Sequence, residues 1–140
     1  MEQEGTTAAP MLAGFRSAGR TLFSLGLVKG VEGNLSTFDG HRLVITRTGA
    51  ILADLSEADL LTGELEGELR EAPSDLEVHR SLYRGRGRGA VAHAHPPGTV
   101  PEDGGDPGEH GVYAFAGTLA EAVESVVAGA RQPSIGGEGG

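Results

Sequence analysis

The sequence predicts a single α/β domain. Three observations carry that reading. The chain has 140 residues and 38% hydrophobic content, a size and composition suited to one domain around one core. Segments with helically spaced apolar residues alternate with short β-branched or apolar runs. Glycine supplies 24 of the 140 residues without any collagen-like period, so the excess marks turns, loops and ends.

Taken in order, residues 1–8 read as a polar, flexible lead, 9–131 as the domain and 132–140, ending in GGEGG, as a flexible tail. Met11, Leu12, Phe15, Ala18, Leu22, Phe23 and Leu25 recur at helical spacing, which predicts an amphipathic helix over about 9–26 with Gly26 as its stop. Gly30 to Ser36 reads as a glycine-rich polar loop. His41 to Thr46 (HRLVIT) is a strand, entered from an Asp39-Gly40 turn and ended by Thr48-Gly49. Ser56 to Leu61 opens with an N-cap serine and acids, predicting a short helical turn, and Gly63 to Gly67 reads as a further turn. Pro73 followed by SDLEVHRSLYR predicts a helix start with acids in its first turn. Ala90 to His95 (AVAHAH) is a short strand, 96–109 a Pro/Gly/acid loop, and Gly111 to Ala116 another strand. Thr118 to Ala130 is a helix opened by a capping box of Thr118 and Glu121.

Charge and composition narrow the function classes. Twenty acids against eleven bases give a net charge of −9, which repels nucleic acid and anionic lipid. Arg84, Arg86 and Arg88, interleaved with glycines, are too short a basic run for a nucleic-acid footprint and read as a loop or a small anion contact. The absence of cysteine removes disulfides, thiolate metal sites and a cysteine nucleophile, so a metal must use His, Asp or Glu. The first ten residues lack the apolar run of a signal peptide, and nothing approaches the ~18 apolar residues of a membrane span. A soluble, cytoplasmic protein is expected.

The histidines carry the chemistry. His93 and His95 are two apart on a predicted strand, so their imidazoles share one face, while Ala92 and Ala94 leave the other free for burial. A His-x-His pair by itself is equally an accident of a half-exposed strand. His110 precedes Gly111, where the backbone can approach closely. His79 falls four residues after Asp75 on one helix face, a place for an ion pair at the helix surface or core edge.

Five segments, in order, resemble one family. Gly33-Asn34-Leu35-Ser36 is similar to its G-N-[LIFV]-S loop, and Ile45-Thr46-Arg47-Thr48-Gly49 to its I-T-x-[ST]-G turn. Pro73-Ser74-Asp75 with His79 resembles its S-S-E-x-x-x-H helix start. Ala90 to Pro96 (AVAHAHP) resembles A-V-x-H-x-H-P, and His110-Gly111-Val112 with Gly117 to Ala122 resembles H-G-V…G-x-x-L-x-E-A. Together they cover roughly 10–130 and identify the chain as similar to the class II aldolase/adducin family, which includes fuculose-phosphate aldolases, pentulose-phosphate 4-epimerases and the non-enzymatic adducin head.

The resemblance implies an α/β/α layered domain with a mainly antiparallel central sheet. It implies a zinc site at His93, His95 and His110, with an open coordination position as in catalytic sites. It places a substrate phosphate against Gly33, Asn34, Thr48, Gly49 and Ser74, where exposed backbone N–H groups and a helix start favour anions. Asp75 takes the acid–base position. The implied activity is a zinc-dependent lyase of the sugar-phosphate aldolase type, with a zinc-dependent pentulose-phosphate 4-epimerase and a non-catalytic adducin-like binding or assembly domain as alternatives. The partners are a small phosphorylated sugar and further copies in a homo-oligomer, with no nucleic acid and no membrane.

Three departures qualify the match. The aldolases carry Glu where Asp75 stands, whereas the epimerases carry Asp. Pro73 replaces the first of two serines and removes a hydroxyl and a backbone donor. Only residues 96–109 fill a region that is several dozen residues longer in the family and from which some members draw a catalytic Tyr or Asp. Tyr113, lying after His110, is not carried over as that group.

Overall fold

The computed structural model describes residues 9–96 and 111–131. The predicted lead at 1–8, the loop at 97–109 and the tail at 132–140 lie outside them, as does His110.

A 3₁₀ turn, Ala9–Met11, runs into helix α1, Leu12–Ser24. Its stop is as predicted: Gly26 takes φ +74°, a left-handed conformation that costs glycine little. Strand β1, Asn34–Phe38, replaces the predicted loop at 30–36 from Asn34 onward. The sequence NLSTF hides it, because Asn34 and Ser36 are polar yet buried, and only their partners on the next layer explain that. The Asp39-Gly40 turn follows, with the Asp39 carboxylate accepting from the N–H groups of His41 and Arg42. Those bonds hold the Asp39 carboxyl below its ordinary range.

Strand β2, Arg42–Thr46, matches its prediction. Two 3₁₀ turns, Leu52–Asp54 and Glu57–Asp59, lead to strand β3, Leu60–Glu64. The helical turn predicted at 56–61 is therefore half right. Asp59 accepts from the Ser56 N–H at 2.8 Å, closing the turn, and the chain then extends through a segment read from its glycines as irregular. Helix α2 spans Leu76–Arg86, strand β4 Gly89–Ala94, strand β5 Val112–Ala116 and helix α3 Leu119–Arg131. The Thr118 hydroxyl accepts from the Glu121 N–H at 3.1 Å, as the capping box requires.

The five strands form one antiparallel sheet in the order β3-β2-β1-β4-β5. Because alternate residues face opposite ways, each strand feeds two layers. On one face Leu35, Val44, Ala90, Ala92 and Ala94 pack with Phe15, Ala18 and Leu22 of α1 and Leu119, Ala122, Val123 and Val126 of α3. On the other, Leu43 and Val91 pack with Tyr83 of α2. This is the α/β/α layering expected.

Arg84, from the basic run, bridges Glu66 at 2.7 Å and Glu77 at 2.6 Å on the surface. It belongs to the α2 surface rather than to an anion site.

Candidate functional site

Strand register builds the site. Asn34 of β1 lies opposite His93 of β4, and His93 lies opposite Tyr113 of β5. The three form a row across neighbouring strands on the face that α2 covers. From α2 and the residue before it, Asp75, His79 and Tyr83 recur every fourth position and form one stripe above that row.

Asp75 is the meeting point. The Asn34 Nδ2 donates to its Oδ1 at 3.0 Å and its Oδ2 at 3.2 Å. The Tyr113 hydroxyl donates to Oδ2 at 2.6 Å. His93 Nδ1 stands 2.9 Å from the same Oδ2, close but without the alignment of a hydrogen bond, and both ring nitrogens of His93 are buried. Burial is the largest influence on the Asp75 carboxyl and pushes it up. The imidazole of His93, the Tyr113 hydroxyl and the field of His79 together outweigh it and hold Asp75 below the usual carboxylate range. Asp75 is thus a carboxylate at neutral pH. Burial and the acceptance of its hydrogen by Asp75 push the Tyr113 hydroxyl up.

His79 is wholly buried, not the surface or core-edge residue its sequence context suggested. Its Nε2 approaches Asp75 Oδ1 at only 3.9 Å, because Asn34 intervenes. Burial dominates and lowers its pKa to about 4, so the ring is neutral. Glu77 turns away to Arg84, as its position two residues on required.

His93 and His95 do stand side by side, with ring centroids 4.8 Å apart and planes inclined by 49°. They do so although β4 ends at Ala94, one residue earlier than predicted; the His95 N–H leaves the sheet to donate to Leu27 O at 2.8 Å. His93 also stacks on Tyr113 at 4.0 Å and 7°. Gly111 explains the close entry of β5: a Cβ there would stand 2.5 Å from His93 Nε2 and 2.5 Å from Ala94 O. The backbone at Gly111 therefore passes directly against the His93 ring edge. Among the described residues no group of three His, Cys, Asp or Glu can hold a metal, and His110 is not among them. Two adjacent imidazoles, of which His93 makes no aligned hydrogen bond at either ring nitrogen, fit a zinc ion by the chemistry of the donor set.

A pocket of about 220 Å³ opens on this centre. Gly33, Asn34, Thr48, Gly49 and Ser74 line it together with Asp75, His93 and His95, so the residues expected to hold a phosphate share one pocket with Asp75 and with the two described histidines of the expected metal set. Three details could not be read from the motifs. The Thr48 N–H is spent on Glu71 O at 2.7 Å, and the Asn34 amide is turned to Asp75 and His79. Gly33 is needed for contact with β4, since a Cβ there would meet His93 O at 2.6 Å.

Two lining or neighbouring groups were missed by sequence reasoning. Arg47 lines the pocket, held by Asp59 at 2.9 Å and by Thr48 O at 3.0 Å. It stood at the variable position of its motif, and only its charge marked it. Tyr113 was set aside, and nothing short of strand register places it on Asp75.

The sequence pattern of the class II aldolase and adducin N-terminal domain matches residues 14–101. The chain belongs to this family. Over 88 residues it is 39% identical to a 5-methylthioribulose-1-phosphate/5-deoxyribulose-1-phosphate aldolase of Rhodospirillum rubrum, covering 60% of this chain and 40% of that protein. The crystal structure of L-fuculose-1-phosphate aldolase from Thermus thermophilus superposes with a TM-score of 0.60 at 39% identity, over 66% of this chain and 49% of the other. Another L-fuculose 1-phosphate aldolase structure, at 19% identity, shares the fold over 94% of this chain and 87% of its own, with a TM-score of 0.72. The chain spans less than half the length of the curated relatives it matches. No described helix is long and apolar enough to cross a membrane.

Proposed function

We propose that this member of the family acts as a zinc-dependent lyase of the sugar-phosphate aldolase type, cleaving a phosphorylated ketose by retro-aldol chemistry. The observation that carries the reading is the convergence, in one pocket of about 220 Å³, of the Asp75 carboxylate, the paired imidazoles of His93 and His95, and the turns at Gly33-Asn34, Thr48-Gly49 and Ser74. The relatives named as sugar-phosphate aldolases support it.

A zinc ion held by His93, His95 and His110 would supply Lewis acidity toward the oxygens of the substrate and of the enediolate left by cleavage. The chain's own residues do the rest. The phosphate sits toward Gly49, Ser74 and the Thr48 hydroxyl, with Arg47 as a cation at the rim. Asp75, ionised and fixed by Asn34 and Tyr113, takes the proton from the substrate hydroxyl. That oxygen becomes the carbonyl of the departing aldehyde as the C–C bond breaks. The bonding pair stays with the ketone-phosphate fragment, and the proton on Asp75 is returned to that carbon. The same cleavage, followed by rejoining on the other face, is the chemistry of a pentulose-phosphate 4-epimerase, which the aspartate at position 75 favours.

Metal analysis of the purified protein and a coupled assay on a panel of ketose phosphates test this. Asp75→Asn is expected to retain zinc and lower kcat by about 10²–10⁴-fold. Release of an aldehyde marks the lyase, and inversion without release marks the epimerase. A protein that holds zinc and phosphate but turns over no ketose phosphate is instead an adducin-like binding domain.

A further inference from the structure

A buried file of polar side chains runs from the middle of α2 to the Asp75 carboxylate, and its donor directions can be assigned from chemistry alone. An ionised carboxylate has only lone pairs to offer, so Asn34 must present its NH₂ to Asp75 and its Oδ1 to the other side. That Oδ1 lies 2.6 Å from His79 Nε2, so Nε2 carries the ring proton. His79 is neutral, which leaves Nδ1 bare. Nδ1 lies 2.7 Å from Ser36 Oγ and accepts the serine's single proton. Ser36 Oγ, having given its proton away, accepts from the Tyr83 hydroxyl at 2.7 Å. Ser36 and His79 are fully buried, and Tyr83 and Asn34 nearly so, so water does not supply alternative partners. Every bond in the file points the same way, from Tyr83 through Ser36, His79 and Asn34 into Asp75. Aligned hydrogen bonds in a low-dielectric interior polarise one another in that sense.

We propose that Tyr83, Ser36 and His79 are positioning residues for Asp75: a one-way donor chain, with His79 locked as the neutral Nε2–H tautomer, that orients Asn34 and through it the carboxylate. Its kinetic consequence rests on Asp75 being the acid–base of the aldolase reading; its structural content does not. None of the three reaches the pocket, so none touches substrate. The chain also accounts for the burial of three polar side chains between α2 and the sheet, where apolar residues would serve packing equally well.

The experiment uses the full ¹⁵N-labelled chain. Long-range ¹H–¹⁵N correlation at neutral pH should show the His79 ring protonated at Nε2 and bare at Nδ1; the opposite tautomer overturns the proposal. In Tyr83→Phe, which keeps the ring and deletes only the remote hydroxyl, the Asn34 side-chain amide proton should move upfield as its bond to Asp75 weakens. An unmoved amide overturns the chain. With zinc present, Tyr83→Phe should lower kcat by about two- to tenfold, the reach of one hydrogen bond, with KM unchanged. His79→Gln, whose amide can replace the Nε2 donor, should retain more kcat than His79→Leu. A loss of melting temperature with kcat intact in an active enzyme assigns these residues to packing alone and overturns the proposal. If the unmodified protein cleaves no ketose phosphate, the aldolase reading fails while the tautomer and the amide shift still decide the chain. If Tyr83→Phe does not fold, the tautomer in the unmodified protein decides it.

Discussion

The two faces of the central sheet differ in kind. The face under α1 and α3 is aliphatic: Leu35, Val44, Ala90, Ala92 and Ala94 meet Phe15, Leu22 and Val126. The face under α2 sets Asn34, Ser36 and His93 of the sheet against His79 and Tyr83 of the helix, and Tyr113 borders them. The same strands build both. In β4 the alternation is explicit, with Ala90, Ala92 and Ala94 turned one way and Val91 and His93 the other. One face is therefore apolar, while the other adds directional bonds, each group needing its partner, to a smaller apolar cluster around Leu43, Val91 and Tyr83. In β1 and β4 the aliphatic packing and the polar row are separated by one residue along the strand.

The largest effect that would break this division is on the dry face. Phe15 is fully buried, and Phe15→Ala should destabilise the protein by about 3–5 kcal/mol in urea unfolding. Below its transition, zinc and phosphate binding should be unchanged. A site that fails while the fold survives would show that the two faces are coupled.

The polar face should answer to pH. His79 is neutral in the fold with its pKa lowered to about 4, by burial first, against an ordinary 6.5 when unfolded. Between those values the unfolded chain binds the extra proton, so stability is full above about pH 6.5 and falls as pH drops toward 4. The span corresponds to about 3 kcal/mol. Chemical unfolding from pH 7.5 to 4 should show that slope, and His79→Gln should flatten it. A slope equal in both proteins would mean that His79 titrates normally in the fold.

A smaller change sharpens the role of the tyrosine row. Tyr113→Phe deletes the bond to Asp75 Oδ2 and should cost about 0.5–1.5 kcal/mol. Since that bond helps to hold the carboxyl down, the Asp75 pKa should rise in a ¹³C-detected titration. No movement would place the hydroxyl elsewhere in solution.

The smallest effect concerns Arg47, whose side chain is 38% exposed. Arg47→Gln should weaken inorganic phosphate binding by about two- to fivefold by calorimetry, the range of a solvent-screened charge. Unchanged affinity would assign Arg47 to its pairing with Asp59 alone.

Much was legible in the chain itself. The period of apolar residues located α1, the capping box located α3, the β-branched run located β2, and the Asp39 turn stood at its predicted place, because those signals are local. The motifs brought Asp75, His93, His95 and the two glycine turns to attention before any geometry was known. Strands β1 and β3 were missed for the opposite reason. NLSTF and LLTGE have no local preference strong enough to declare a strand; their neighbours in the sheet make them strands. The same holds for Tyr113, His79 and Arg47. Composition and spacing determined an α/β domain without thiolate chemistry and with an acidic net charge, while the resemblance of its motifs to one family singled out the imidazoles and the carboxylate. Which of those side chains touch was decided by the register that sets Asn34 against His93 and His93 against Tyr113, and by the docking of α2 above that row. Register depends on pairing between strands up to about sixty residues apart in sequence, and a hydrogen bond's direction depends on what its neighbour can donate, so neither quantity exists until the chain has folded.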